Sequence, residues 1–137
     1  MSILYPVAAL AGLTFAVLIL IPIARFRAAY QGKVKARDFR YGESANVPGE
    51  TAIPNRNLMN LLEMPVLFYV ACLALYVTAK VDPATVALAW VYVGLRVIHS
   101  AIHLTYNNVF HRLTAYALSN ITLVAMWFRF LSALHSA

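Results

Sequence analysis

The chain has 137 residues, of which 62% are hydrophobic and 12% are charged, with a net charge of +6. Soluble domains average about 45–50% apolar and about 25% charged residues, so the composition indicates an integral membrane protein with a single domain over residues 1–137. Six of the eleven Lys and Arg residues lie between Arg25 and Arg40, so the basic character is one local patch. We therefore expect membrane lipids as partners and no nucleic acid.

Four apolar segments are long enough to cross a bilayer as helices, which requires about 20 residues each. They cover residues 3–26, 52–79, 83–106 and 110–134. The sequence therefore predicts an all-α membrane protein, built as a four-transmembrane-helix bundle. Residues 27–51 form a basic loop between the first two helices.

The connections and the charges predict how the helices are arranged. Pro65 lies inside the second segment, where we expect it to bend the helix and free a backbone carbonyl. The sequence Val81-Asp82-Pro83 gives a short hairpin, which makes the second and third helices antiparallel neighbours. By the positive-inside rule the basic loop is cytoplasmic, and both termini lie on the non-cytoplasmic side.

The head of the second segment carries three polar residues on one face. At about 100° per residue, Arg56, Asn60 and Glu63 fall within about 60° of one another. Charged groups inside a membrane span are costly unless they have partners, so they are candidates for function. Glu63 and Arg96 lie at similar depth, each roughly 15 Å from the loop side. We predict a structural ion pair between them.

Two further polar stripes follow on the third and fourth segments. They consist of Arg96, His99, His103 and Tyr106, and of Arg112, Tyr116 and Asn120. Each residue alone has a structural interpretation, as a snorkelling cation, an interhelical hydrogen-bonding group or an aromatic-belt residue. Together they predict a cavity at the cytoplasmic end, suited to a polar anionic ligand beside an apolar partner dissolved in lipid. The predicted lining is Arg56, Asn60, His99, His103, Tyr106, Arg112 and Tyr116, with Arg25 and Arg27 at the rim.

This pattern resembles the MAPEG family, the membrane-associated proteins in eicosanoid and glutathione metabolism, over essentially the whole chain. The similarity is to its microsomal glutathione transferase and prostaglandin E synthase branches, and it lies in motifs on three helices. The matching residues are Arg56, Asn60 and Glu63 followed by Pro65, then Arg96 and His99, and finally Arg112 with Tyr116.

The resemblance implies a homotrimer that binds glutathione as co-substrate between neighbouring subunits. It also implies a glutathione-dependent transferase or peroxidase that acts on lipophilic electrophiles or hydroperoxides. Arg112 would be the catalytic residue, because its guanidinium would stabilise the glutathione thiolate. The glutathione-binding residues implied are Arg25, with Arg27 as the alternative, and Arg56, Asn60, Glu63, His99, His103 and Tyr116.

Two departures from the family pattern leave alternatives open. His103 occupies the position of a tyrosine in the synthase, and Leu58 and Met59 occupy polar or basic positions. One alternative is therefore a lipid-binding or scaffold protein of the same fold, without glutathione chemistry. A histidine-ligated redox protein using His99, His103 and His111 is a third hypothesis. The first two histidines are one turn apart, which suits axial haem ligation poorly, and no metal site is predicted.

Overall fold

The computed structural model describes residues 2–135, and these residues form helices without strands. The α-helices are α1 (Leu4–Tyr30), α2 (Gly49–Leu62), α3 (Pro65–Val77), α4 (Pro83–Leu104) and α5 (Val109–His135), with a 3₁₀ turn at Ala36–Phe39. Four apolar spans are long enough to cross a membrane, because α2 and α3 together make one span. The predicted four-helix membrane bundle is confirmed.

The second predicted helix, 52–79, is two helices in the structure. Glu63 has φ −84° and ψ −95°, outside the helical region, and its N–H makes the last backbone hydrogen bond of α2, to the Met59 carbonyl. Pro65 then occupies the first turn of α3, where its missing N–H costs nothing. The proline that was expected to bend one helix therefore follows the end of α2 and begins α3.

All five α-helices contribute side chains to the bundle core. Phe68 and Tyr92 are fully buried there, and their rings stack with centroids 4.6 Å apart. Cys72 and Met126 pack in the same cluster. The helices run up and down, so the bundle has two ends. We call them the basic-loop end, with residues 31–48 and the 105–108 turn, and the short-turn end, with residues 78–82.

At the basic-loop end, the loop folds back onto α1. The Arg25 guanidinium forms an ion pair with Glu43 at 3.4 Å and lies 4.6 Å above the Phe39 ring. The Asp38 carboxylate accepts a hydrogen bond of 2.8 Å from the Lys35 N–H, which lowers the pKa of that carboxyl from its ordinary value. These contacts give the loop a defined shape beside the end of α1.

At the short-turn end, Asp82 caps the N-terminus of α4. Its carboxylate accepts the Thr85 N–H at 2.6 Å, while its own N–H donates to the Thr85 hydroxyl, a reciprocal capping box. The same carboxylate forms an ion pair with Arg129 of α5. The hydrogen bond from Thr85, with Arg129 in addition, holds the pKa of Asp82 below its ordinary value. Asp82 thus joins α4 to α5.

Candidate functional site

The turn between α4 and α5 positions Arg112. Asn107 has φ +49°, a left-handed conformation that asparagine tolerates. The Asn108 side chain accepts the N–H groups of Phe110 and His111 at 3.0 and 3.1 Å, which starts α5 with a side-chain cap. Arg112 lies in the first helical turn of α5, so its side chain is close to the α4–α5 connection. Its guanidinium donates to Asn107 Oδ1 at 2.8 Å.

Two buried histidines of α4 lie next to this arginine. The Arg112 guanidinium lies 3.3 and 3.4 Å from the two ring nitrogens of His103. The His99 ring is 5.9 Å from the His103 ring and 5.9 Å from the Tyr116 ring, measured between centroids. The structure therefore brings four predicted site residues, His99, His103, Arg112 and Tyr116, into contact.

Arg96 is the deepest member of this group, with 0% of its surface exposed. Its guanidinium donates to Asn120 Oδ1 at 3.0 Å and lies 3.5 Å from the Asn60 carbonyl oxygen. It also lies 5.2 Å from the Tyr92 ring centroid and 5.0 Å from that of Tyr116, so aromatic faces supply part of its solvation. We call Arg96, His99, His103, Arg112 and Tyr116, with Asn107 and Asn120, the polar cluster.

The structure does not form the predicted Glu63–Arg96 ion pair. Among residues 2–135 the ion pairs are Arg25–Glu43 and Arg129–Asp82, and Glu63 is exposed. The physical reason is the end of α2, because Glu63 leaves helical geometry and no longer continues the face set by Asn60. The Asn60 carbonyl and the Asn120 side chain take the place of the carboxylate.

The remaining predicted residues lie at the margin of the cluster or outside it. Arg56 is exposed, and Asn60 is half-buried with its amide donating to the Arg56 carbonyl at 3.0 Å. Tyr106 is exposed and its hydroxyl contacts His111 Nδ1 at 3.0 Å. Arg25 contacts the basic loop, and Arg27 is exposed at the end of α1.

The polar cluster has cations without carboxylates. Within residues 2–135, neither ion pair includes Arg56, Arg96 or Arg112. The neighbours of Arg96 and Arg112 are amides, a carbonyl, imidazoles and aromatic rings, which leave a net positive field at the cluster. Such a field stabilises an anion in preference to a neutral ligand. The same residues contain no group of three or more His, Cys, Asp or Glu side chains placed to hold a metal ion.

Two residues near the site, Asn57 and Asn107, were not singled out from the sequence. Asn57 is fully buried and accepts a hydrogen bond of 3.2 Å from the Ser100 hydroxyl, while its amide nitrogen has no partner among the described residues. Asn107 was read as a turn residue, yet it holds Arg112. The burial of Asn57 could have been predicted from its spacing. It follows Pro54 by three residues and precedes Leu61 by four, so all three lie on the buried face of α2.

Comparison with known proteins identifies the family. The sequence profile of the MAPEG family matches residues 3–132, which covers the polar cluster and the four spans except for the last three residues of α5. Comparisons with curated proteins and with solved structures gave no match. The family resemblance seen in the sequence is thereby confirmed.

Proposed function

The chain belongs to the MAPEG family, and from this premise we propose that it is a glutathione-dependent transferase or peroxidase. Its second substrate would be a lipophilic electrophile or hydroperoxide that arrives from the bilayer. The observation that carries the proposal is the position of Arg112 in the polar cluster. Its guanidinium is half-buried, contacts an amide oxygen and an imidazole ring, and is in neither ion pair of the described residues.

The chemistry requires a group that stabilises a thiolate. A free thiol has a pKa of about 8.5, so most of it is protonated at neutral pH. Lowering that pKa by about two units requires nearly 3 kcal/mol of differential stabilisation. A guanidinium in a partly dry site can provide this, provided that no carboxylate already neutralises it. Arg112 meets this condition among the described residues.

The other residues of the site fit a small anionic peptide in part. Arg56 is exposed and is in neither ion pair of residues 2–135, so it can bind a carboxylate. Asn57 and His99 each have a buried side-chain nitrogen without a partner among the described residues. Arg25 fits less well, because Glu43 already occupies its guanidinium and a ligand would have to displace it.

In catalysis Arg112 would hold the thiolate while the sulfur forms a bond to an electrophilic carbon and the leaving group departs. In the peroxidase version, the thiolate would attack the outer oxygen of the hydroperoxide and displace the alkoxide, which takes up a proton to give the alcohol. The resulting glutathione sulfenic acid would then condense with a second glutathione thiol, giving the disulfide and water. The buried histidines and Tyr116 would orient the substrate and limit access of water. Both reactions use the same arginine.

We also propose a homotrimer with the site on the cytoplasmic side. Glu63 supports association, because an exposed carboxylate within a membrane span is costly against lipid and is better covered by a neighbouring subunit. The excess of Lys and Arg in the basic loop supports its cytoplasmic location, with both termini on the other side. Chemical cross-linking in membranes and accessibility labelling of residues on the loop would test these two points.

The decisive experiment compares two arginines of the same helix. Glutathione is added to purified protein in detergent, and thiolate formation is followed by its ultraviolet absorbance. We expect the signal in the wild type and in Arg129→Ala, and its loss in Arg112→Ala. A wild type that shows neither saturable glutathione binding nor thiolate absorbance would overturn the proposal.

The alternative is a lipid-binding or scaffold protein that keeps the fold without glutathione chemistry. The Arg25–Glu43 ion pair favours it, because one expected ligand arginine is already neutralised by the chain itself. Leu58 and Met59, at positions expected to be polar or basic, favour it as well. Turnover of a model electrophile with glutathione would exclude this alternative. Co-purified lipid without saturable glutathione binding would support it.

A further inference from the structure

A concave site lies outside the polar cluster, between the end of α1 and the start of α2. This α1–α2 cleft has a volume of about 380 Å³. Its lining is Leu20, Ile23, Ala24, Arg27, Ala28, Gln31, Lys33, Pro48, Glu50, Thr51, Pro54 and Leu104. None of these residues belongs to the polar cluster, so the cleft needs an explanation of its own.

The lining changes from apolar to basic along α1. Leu20 and Ile23 are exposed apolar side chains on the membrane-embedded part of the helix. Arg27 lies seven residues after Leu20, which is about 10 Å further along the helix axis. Lys33 follows the end of α1. The change from apolar to charged therefore runs parallel to the helix and toward the basic-loop end.

The charges of the cleft favour an anion. Arg27, Lys33 and Glu50 are its charged residues, and none of them is in an ion pair among residues 2–135. Two cations and one carboxylate leave a net charge of +1 at the mouth of the cleft. Glu50 would oppose an anionic ligand and so sets a limit on the affinity.

We infer that the α1–α2 cleft binds one phospholipid with an anionic headgroup. The headgroup phosphate contacts Arg27 and Lys33, and an acyl chain lies along Leu20 and Ile23. Basic pockets between helices at the membrane surface select anionic lipids by this combination of charge and depth. A soluble anion would contact the two cations but not the apolar side chains of the cleft. A neutral lipid would contact the apolar side chains but would gain little from the two cations.

The test uses native mass spectrometry of the full chain, released from detergent after equilibration with equal amounts of phosphatidylglycerol and phosphatidylcholine. We expect the wild type to retain one phosphatidylglycerol per chain in preference to phosphatidylcholine. The double substitution Arg27→Gln/Lys33→Gln should reduce phosphatidylglycerol retention roughly tenfold or more. Glu50→Gln should increase it, because the opposing carboxylate is removed.

The matched control is Lys35→Gln/Arg37→Gln, which removes the same two charges from exposed loop positions outside the cleft. It should retain phosphatidylglycerol as the wild type does. Equal retention of both lipids by the wild type would overturn the inference without any variant. Equal loss in the two double variants would overturn it too, because the effect would then belong to the charge of the loop as a whole.

Discussion

The two ends of α5 use the same residue type in opposite ways. Arg129, at the short-turn end, forms an ion pair with Asp82, the residue that caps α4. Arg112, at the basic-loop end, contacts Asn107 Oδ1 and the His103 ring, and it is in neither ion pair of residues 2–135. The paired arginine joins two helices, whereas the other arginine has no carboxylate partner among residues 2–135, as its proposed role in binding a thiolate requires.

The comparison shows how to separate structural from functional cations in a small membrane protein. An exposed ion pair contributes only about 0–1 kcal/mol to stability, so the Arg129–Asp82 pair stabilises the contact between α4 and α5 only slightly. An arginine with neutral partners keeps its charge uncompensated, which is acceptable when an anion arrives to bind it. For Arg129 and Arg112, the carboxylate partner is therefore the difference on which the proposed role of Arg112 depends.

The largest effect on glutathione thiolate formation should come from giving Arg112 a carboxylate partner, as Arg129 already has in Asp82. Asn107→Asp places a carboxylate where Asn107 Oδ1 now accepts from Arg112 at 2.8 Å. The new charge should neutralise the guanidinium and raise the pKa of bound glutathione, lowering thiolate formation by about tenfold to a hundredfold. The measurement is thiolate absorbance against glutathione concentration at fixed pH.

Asn108→Asp is the matched control for this substitution. It adds the same charge one residue later, at a capping position where asparagine and aspartate are equally favourable. It should leave thiolate formation close to that of the wild type. If both variants lose the signal equally, the direct contact with Arg112 is not the cause.

A moderate effect on stability is expected from Asn120→Ala. The substitution removes the closest acceptor of the fully buried Arg96, and leaving such a donor unsatisfied costs about 1–3 kcal/mol. The measurement is the thermal transition in detergent. Ile121→Ala, on the exposed face next to it, should change the transition much less. Similar transitions for both variants would show that Arg96 does not depend on this amide.

A smaller effect is expected at Asp82. Asp82→Ala removes both the cap and the ion pair and should destabilise the protein by about 1 kcal/mol. Asp82→Asn keeps an acceptor for the Thr85 N–H and removes the charge, so its effect should be smaller still. Thermal transitions at neutral pH give both values. A larger loss in the Asn variant than in the Ala variant would contradict the assignment of Asp82 as a cap.

The smallest effect is the pH dependence of the same contact. Because the pKa of Asp82 is lowered by folding, its stabilisation is present above the ordinary value of 3.8 and is lost as the pH falls through the folded value. The difference in thermal transition between wild type and Asp82→Asn should therefore shrink below about pH 4. A difference that stays constant to lower pH would mean that the carboxylate charge contributes nothing.

The sequence predicted the four spans and most of the polar cluster, because helical periodicity places residues of one helix on one face. His99, His103 and Tyr116 meet as their spacing predicted, and Arg112 lies beside them. The Glu63–Arg96 pair failed, since the projection assumed that the helix continued past Leu62. A helical projection holds only as far as the helix does.

Helical periodicity could not predict the contacts of the basic loop. No repeating pattern in residues 31–48 indicates that Glu43 returns to Arg25, or that Phe39 lies under its guanidinium. These are contacts over 14 or more positions in a loop, fixed by its turns rather than by spacing. For the same reason the sequence predicted Asn107 only as a turn residue between two helices, and not as the hydrogen-bond acceptor of Arg112.

The interruption between α2 and α3 gives one membrane span two mechanical halves. Residues 49–62 pack mainly against α1, and residues 65–77 have α5 as their main neighbour. A continuous helix would transmit a tilt from one end of the span to the other, whereas a broken one can absorb it at Glu63. We therefore expect amide hydrogen exchange of residues 49–62 to follow that of α1, and exchange of residues 65–77 to follow that of α5. Movement of the half that bears Arg56 need not disturb the packing of Phe68 in the core.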